Sequence, residues 1–317
     1  MDRTIQPEIQ PLKNFHIQTP VRTTLPNGIP LTVINAGEQE VVRMDVLFSG
    51  GRWQQSQKLQ ALLREGTTKY TAATIAEKLD YYGSWLELSS SSEYAYITVY
   101  SLNKYLAKTL EVVESMIKEP VFPEKELHTI LDTNIQQYLV NTSKVDFLAH
   151  RGLLQALYGT QHPCGQIVVE EDYHAIIPEV LRDFYGRHYH SGNCSIFLSG
   201  KVTEDIIRRV TGAFGTPFGQ YQLKASKPIF SFVAVPEKRI FIEREDALQS
   251  AVKMGCTTIT RQNPDYLKLR VLMTLFGGYF GSRLMSNIRE EKGYTYGISA
   301  GIMFYPDSGL LGISTET

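Results

Sequence analysis

The sequence predicts an α+β protein built from two similar domains, each a mixed antiparallel sheet flanked by helices. Three observations lead to this fold class. Segments with the period of a strand and segments with the period of a helix alternate without a strict βαβ rhythm. The order strand, strand, helices, strand, strand occurs twice. Residues 216–236, which are rich in Gly, Pro, Gln, Lys and Ser, separate the two occurrences and are typical of a linker.

These observations divide the chain into four parts. A polar lead (residues 1–20) precedes an N-terminal domain (21–215), the linker (216–236) and a C-terminal domain (237–317). The C-terminal domain is expected to be incomplete, because the printed chain stops inside a predicted strand, before the helical layer that follows the strands of the first half. One face of its sheet is therefore expected to be uncovered.

The N-terminal domain opens with a turn at residues 25–28, which read Leu-Pro-Asn-Gly. Apolar runs at residues 29–34 and 41–48 follow, and a short Gly-containing loop joins them. Two strand-like runs joined in this way predict a hairpin. Residues 93–100 alternate between two sets of side chains, which predicts a half-buried strand.

The helices of this domain are predicted from apolar residues at three- and four-residue spacing that stop at Gly or Pro. They cover residues 74–82 and 102–119, a run after Pro123, a run that ends near Gly159, and residues 178–185 and 203–214. Thr203 is the expected cap of the last of these helices. A further strand is predicted at residues 193–199.

The C-terminal domain repeats this order. Strands are predicted at residues 239–243, 251–257, 296–304 and 309–314. Between them, a helix is expected to begin at Asn263 as the cap with Pro264 in the first turn, and a second helix is expected at residues 282–291.

Composition removes several classes of function. The chain of 317 residues carries 32 Lys and Arg against 33 Asp and Glu, so no global field favours nucleic acid or anionic membranes. No stretch of 18 residues lacks a charge or a turn signal, which argues against a transmembrane helix. The three cysteines are widely separated and the first 20 residues lack the features of an export signal, so a cytoplasmic location is expected.

The most specific motif lies in residues 276–297. A Gly-rich turn precedes Ser-Arg-Leu, then Ile-Arg-Glu, a Lys-Gly turn and a Tyr, and this arrangement resembles the C-terminal-domain motif of the pitrilysin/insulinase family of zinc metallopeptidases. Further matching segments are Gly50-Gly51-Arg52, Gly66-Thr67, Phe122-Pro123-Glu124 and Tyr189-His190. The resemblance extends over nearly all of residues 20–317. It implies two similar α+β domains that face each other across a chamber.

The resemblance also implies where a zinc site lies in active members. They carry an inverted motif, H-x-x-E-H, on a helix of the first domain, and a more distant Glu as the third protein ligand. Residues at i and i+4 share one helical face, so both His rings reach one ion. The corresponding positions here hold Gln57, Gln60 and Ala61, and the distant ligand corresponds to Gln137. Neutral amides are poor zinc ligands, so no cofactor is expected in this chain.

The second domain retains its expected residues. In the family, an Arg and a Tyr seven residues later bind the substrate backbone and stabilise the oxyanion opposite the zinc. The resemblance assigns these roles to Arg289 and Tyr296. An Arg supplies a permanently charged fork of donors, and a Tyr hydroxyl supplies one orientable donor.

Three functions remain open from the sequence. The first is a peptide-binding, non-catalytic subunit of a two-component zinc endopeptidase, whose homologous partner carries the H-x-x-E-H motif and the zinc. The second is a non-enzymatic scaffold or assembly subunit. The third is an active zinc peptidase whose motif is absent from the printed residues, because the stretch from Arg52 to Gly66 is about six residues shorter than the family pattern.

Overall fold

The computed structural model of the chain describes residues 16–50, 54–91, 93–219, 234–305 and 307–317. Most of the polar lead and most of the predicted linker lie outside the described residues. Within them the fold class is confirmed: two sheets are flanked by helices, and neither closes into a barrel.

The first half forms a six-stranded sheet in the order β1-β2-β6-β3-β5-β4. Neighbouring strands are antiparallel except β2 and β6, which are parallel. The strands are β1 (Val21–Thr24), β2 (Pro30–Asn35), β3 (Val41–Ser49), β4 (Trp85–Ser90), β5 (Tyr94–Leu102) and β6 (Cys194–Gly200). On β3 every second side chain is buried, as a half-buried strand requires.

The predicted hairpin between residues 29–34 and 41–48 is wrong in its pairing. The turn at residues 25–28 instead joins β1 to β2, and β2 pairs on its other side with β6. β6 therefore lies between β2 and β3. Its side chains Ile196 and Leu198 are fully buried, which favours a central position in the sheet for β6. The order of the strands therefore does not follow their order in the sequence.

Eight helices are described in the first half. They are α1 (Gln54–Leu62), α2 (Ala72–Tyr81), α3 (Leu106–Lys118), α4 (Glu124–Thr142), α5 (Val145–Tyr158), α6 (Glu170–His174), α7 (Pro178–His188) and α8 (Glu204–Phe214). Thr203 caps α8 as predicted, since its side chain accepts a hydrogen bond from the backbone N–H of Ile206. The main core lies between the sheet and its helices, where Val46 and Phe48 of β3 join Val113 and Ile117 of α3 in one buried cluster.

The second half forms a three-stranded antiparallel sheet in the order β7-β9-β8. Its elements are β7 (Ala251–Thr258), α9 (Tyr266–Gly277), a π-helix (Met285–Glu291), β8 (Ile298–Phe304) and β9 (Gly309–Glu316). The order of pairing repeats the β3-β5-β4 part of the first sheet. Two units of strand, two helical segments and two strands therefore have the same topology: β3-α1-α2-β4-β5, and β7-α9-π-helix-β8-β9.

Two predictions in this half are wrong. Residues 239–243 form no strand, and the side chains of Ile240, Phe241 and Ile242 are exposed. Asn263 does not cap α9. Its side chain accepts a hydrogen bond from the N–H of Asp265 at 2.9 Å, which closes a turn around Pro264, and the helix begins after Asp265.

The two halves meet where α5 of the first packs on β7 of the second. The contact includes an ion pair between Asp146 and Lys253. At the C-terminal end of α5, the hydroxyls of Tyr158 and Ser308 lie 3.1 Å apart, and the buried ring of His162 lies 3.0 Å from an Asp307 carboxylate oxygen.

On the other face of the second sheet, α9 covers β8, and part of the surface is open. Val252 and Met254 of β7 are exposed, and the apolar side chains on the outer side of α9 are more than half exposed. These α9 residues are Leu267, Val271, Leu272 and Leu275. None of the helices that the structure describes is long and apolar enough to cross a membrane.

Candidate functional site

The helix α1 carries the positions that the resemblance assigns to the zinc motif, and most of its side chains from residue 57 to residue 62 are buried. It packs against α4, α7 and β4. Leu59 and Leu62 lie in the core, as expected for an apolar helix face, but Lys58 and Gln60 are buried as well. The helix therefore places two polar side chains in the interior.

The four motif positions fall into different environments. Gln57 on α1 and Gln137 on α4 are exposed, and Ala61 is half-buried. The side-chain amide of Gln137 donates to Asn141 Oδ1 at 3.1 Å, within α4. None of these groups provides the thiolate, imidazole or carboxylate that zinc requires.

Gln60, which the resemblance predicts at the position of the general base, points into the protein. It is 2% exposed, and its Nε2 donates to the hydroxyl of Tyr189 at 2.7 Å. Its Oε1 is buried and has no hydrogen-bond partner within the described part of the chain. An inward amide in this place cannot serve as a base for water.

Lys58 is the charged group nearest to these positions in the sequence. It is 3% exposed, and its Nζ donates to Asn134 Oδ1 of α4 at 2.7 Å. The ammonium also lies 4.8 Å from the centre of the Tyr173 ring of α6. Burial lowers the pKa of Lys58 to about 8. Lys58 thus ties α1 to α4 and α6 through contacts with neutral groups.

The donor set does not fit a zinc ion. Within residues 16–50, 54–91, 93–219, 234–305 and 307–317, no three His, Cys, Asp or Glu side chains come together as a metal-binding group. At the motif itself, the groups present are two exposed amides, one buried amide, a methyl group and a buried ammonium. Zinc is held by anionic or imidazole ligands, and a neighbouring ammonium repels a dication.

The second candidate region surrounds the Gly-rich turn after α9. Gly277 ends this helix where it touches β8, and a Cβ at Gly277 would lie 2.6 Å from the backbone nitrogen of Ala300. The glycine therefore permits the close approach of helix and strand. The π-helix then carries Arg289, and Gly293, at φ +65°, ends it. A π-helical turn of this kind is rare and occurs frequently at functional sites.

The structure brings Arg289 and Tyr296 together. The guanidinium of Arg289 lies 5.0 Å from the centre of the Tyr296 ring and 4.5 Å from that of Phe280, so the Arg side chain contacts two aromatic rings. Within the described residues, Arg289 forms no ion pair, and Tyr296 is 89% exposed. The geometry presents cationic N–H donors and a phenolic hydroxyl on the same surface.

Sequence reasoning missed four residues of these two regions: Lys58, Asn134, Tyr173 and Phe280. A partial signal existed for Lys58, because it lies in a helix beside Leu59 and Leu62, one turn from the motif position Ala61. Nothing in a single sequence connects Lys58 with Asn134, which is 76 residues away.

Comparisons with known proteins match the two halves to one family. Residues 57–166 match the family model described as insulinase (peptidase family M16), and residues 175–317 match the model described as peptidase M16 inactive domain. Among relatives, the chain is 24% identical to an uncharacterised zinc protease, YmxG, of Bacillus subtilis, over 92% of this chain and 72% of the relative. It is 25% identical to a non-peptidase homologue, also named YmxG, of Helicobacter pylori, over 75% of this chain and 55% of the relative.

Solved structures share the fold. A peptidase M16 inactive domain from Pseudomonas fluorescens superposes with a TM-score of 0.79 at 22% identity, over 94% of this chain and 74% of the other. A protease from Helicobacter pylori superposes with a TM-score of 0.85 at 16% identity, over 95% and 75% of the two chains. Because both halves match models of one family and the fold agrees with that of its solved members, the chain belongs to the pitrilysin/insulinase (peptidase M16) family of metallopeptidase-like proteins.

Proposed function

We propose that this chain is the zinc-lacking, peptide-binding subunit of a two-component metalloendopeptidase. A homologous partner supplies the H-x-x-E-H motif and its zinc, and this chain supplies Arg289 and Tyr296. The observation that carries the proposal is the contact of the Arg289 guanidinium with the rings of Phe280 and Tyr296, with no carboxylate of the described residues paired to the guanidinium.

The chemistry of this pair suits a peptide carbonyl. Stacking on two rings restricts the Arg side chain, so less conformational entropy is lost when its N–H groups bind an acceptor. The exposed hydroxyl of Tyr296 adds a second donor on the same surface. Donors fixed in advance of the reaction stabilise the negative charge that develops on a carbonyl oxygen during hydrolysis.

The edge strand β4 offers a further place for an extended peptide. It is the last strand of the six-stranded sheet, and it packs beside α1. An edge strand presents backbone groups that can pair with an added peptide strand. Its Trp85 is exposed and could contact a side chain of such a peptide.

The test is reconstitution with a homologous chain from the same cell that carries H-x-x-E-H. Each chain is purified alone, and the cleavage of an unstructured fluorogenic peptide is measured for each chain and for the mixture. We expect activity in the mixture that a chelator abolishes, and a stable complex on gel filtration. If neither complex nor activity forms with any such chain, the scaffold function replaces this proposal; zinc and activity in this chain alone would instead identify an active peptidase.

A further inference from the structure

The ammonium of Lys58 is buried, and its contacts differ from those of a solvent-exposed lysine. It is almost entirely removed from solvent, and its ammonium contacts the side-chain oxygen Oδ1 of Asn134 and the face of the Tyr173 ring. No carboxylate of the described residues forms an ion pair with it. A buried charge without an anionic partner is costly, because neutral groups replace its hydration only in part.

The position of this charge relative to the motif is fixed by the two helices. Lys58 is adjacent in sequence to Gln57 and lies three residues before Ala61, so it belongs to the same turn of α1 as the motif positions. Asn134 lies three residues before Gln137 on α4. The hydrogen bond between Lys58 and Asn134 therefore joins the two helices one turn away from the positions where active members hold a dication.

We propose that Lys58 supplies a positive charge at this junction at neutral pH and thereby closes the site to divalent metal ions, independently of the loss of the ligands. A protein cation bridges α1 and α4 where active members have a metal bridging them. Restoring the ligands alone is then insufficient to restore metal binding, because the Lys58 ammonium would still lie within about one helical turn of the restored ligands and repel the metal ion. This inference does not depend on the proposed function.

The experiment introduces a minimal metal site with and without the charge. The double variant Gln57→His/Ala61→His places two imidazoles at i and i+4, an arrangement that binds Zn²⁺ or Ni²⁺. Its affinity for each ion is measured by titration calorimetry in three forms: with Lys58, with Lys58→Met and with Lys58→Arg. We expect the Lys58→Met form to bind at least about tenfold more tightly than the other two, since Met and Lys are similar in length and Arg keeps the charge.

The chain offers a matched control on α4. Glu124→His creates an i and i+4 pair with the native His128, and both positions are exposed. Lys58→Met should leave the affinity of this distant pair unchanged. A similar gain at both pairs would show that Lys58→Met acts through the net charge of the whole protein and would overturn the proposal.

A second pair covers the case in which the half-buried Ala61 does not accept a histidine. Gln57→His/Gln137→His uses two exposed positions on the two bridged helices. The same gain of at least about tenfold with Lys58→Met is expected. Equal affinities with and without Lys58, or no metal binding in the Lys58→Met forms of both pairs, would show that Lys58 does not exclude the metal.

Discussion

The molecule contains two repeated units of the same topology, β3-α1-α2-β4-β5 and β7-α9-π-helix-β8-β9. They differ in how far their first helix is buried. In the first unit the helix after the first strand, α1, is enclosed by other helices and by the sheet. In the second unit the equivalent helix, α9, leaves a row of apolar side chains exposed. The first unit carries the positions that the resemblance assigns to the zinc motif in a packed environment, and the second carries Arg289 and Tyr296 at an open surface.

This difference in burial explains why the polar side chains of the two sites have different kinds of contact. In the enclosed unit, buried polar side chains fill space and find hydrogen-bond partners on neighbouring elements. Lys58 bonds to Asn134, and Nε2 of Gln60 bonds to Tyr189, while Oε1 of Gln60 has no partner among the described residues. In the open unit, few neighbours constrain a side chain. The stacking of Arg289 on two rings at this open surface therefore supports the proposed role of Arg289 in peptide binding.

The largest expected effect concerns this pair. In the reconstituted complex, Tyr296→Phe removes one donor and keeps the ring, so kcat should fall by about 10²–10³, and Arg289→Ala should lower it at least as much. The melting temperature of each variant should stay close to that of the parent chain. Arg283→Ala, at an exposed Arg of the same segment, is the control and should retain activity. Full activity in both variants, or a loss of stability without a loss of rate, would contradict the assigned roles.

The second prediction compares one substitution in the two units. Leu62, at the end of α1, is fully buried, and Leu275 of α9 is 56% exposed. Leu62→Ala should lower the free energy of unfolding by about 2–5 kcal/mol, because it leaves a cavity in the core. Leu275→Ala should change it by less than about 1 kcal/mol. Both changes in the free energy of unfolding are to be measured by denaturant unfolding of the isolated chain. Comparable losses would mean that the outer side of α9 is covered in solution.

Much of the fold follows from local pattern. Alternation along β3 and β5, and the apolar face of α3, are visible in sequence because each element needs a regular set of buried positions. Thr203 was predicted as a cap because the capping bond is made within one turn. These features depend on neighbours in the chain, and the sequence shows those neighbours directly.

The features that could not be predicted depend on distant partners. The insertion of β6 between β2 and β3 is decided by the burial of Ile196 and Leu198. The Phe280 contact with Arg289 requires the path of the π-helix, which periodicity does not reveal. The burial of Lys58 cannot be predicted from the sequence, because a lysine is expected at a surface and its hydrogen-bond partner is 76 residues away.

The third prediction concerns stability and pH at Lys58. The folded state lowers the pKa of this group to about 8, against about 10.4 for an unfolded chain. The unfolded state therefore binds more protons between these values, and stability should rise with pH across that window. Well below pH 8 the buried charge therefore lowers the free energy of unfolding by on the order of 3 kcal/mol relative to a neutral lysine.

Lys58→Met removes the charge and should raise the free energy of unfolding at pH 7 by about 1–3 kcal/mol. The gain should shrink as the pH rises from 8 to 10, because the folded-state lysine is then neutral and the unfolded state progressively loses its proton. Denaturant unfolding of both chains at pH 7, 8.5 and 10 measures the difference, in which the titration of all other groups cancels. A difference that stays constant with pH would show that the Lys58 pKa is not lowered.

The smallest expected effect compares the starts of two helices. Thr71 caps α2 in the first unit, since its side chain accepts a hydrogen bond from the N–H of Thr74 at 3.2 Å. In the second unit, Asp265 stands at the start of α9 without such a bond, and its carboxylate pairs with the exposed Lys268. Thr71→Ala should therefore cost about 1 kcal/mol, because one backbone donor loses its acceptor. Asp265→Ala should cost less than about 0.5 kcal/mol, since an exposed ion pair contributes little. Chemical denaturation at neutral pH resolves these values, and an equal cost at the two positions would show that Asp265 caps α9 in solution and that the two units begin their helices in the same way.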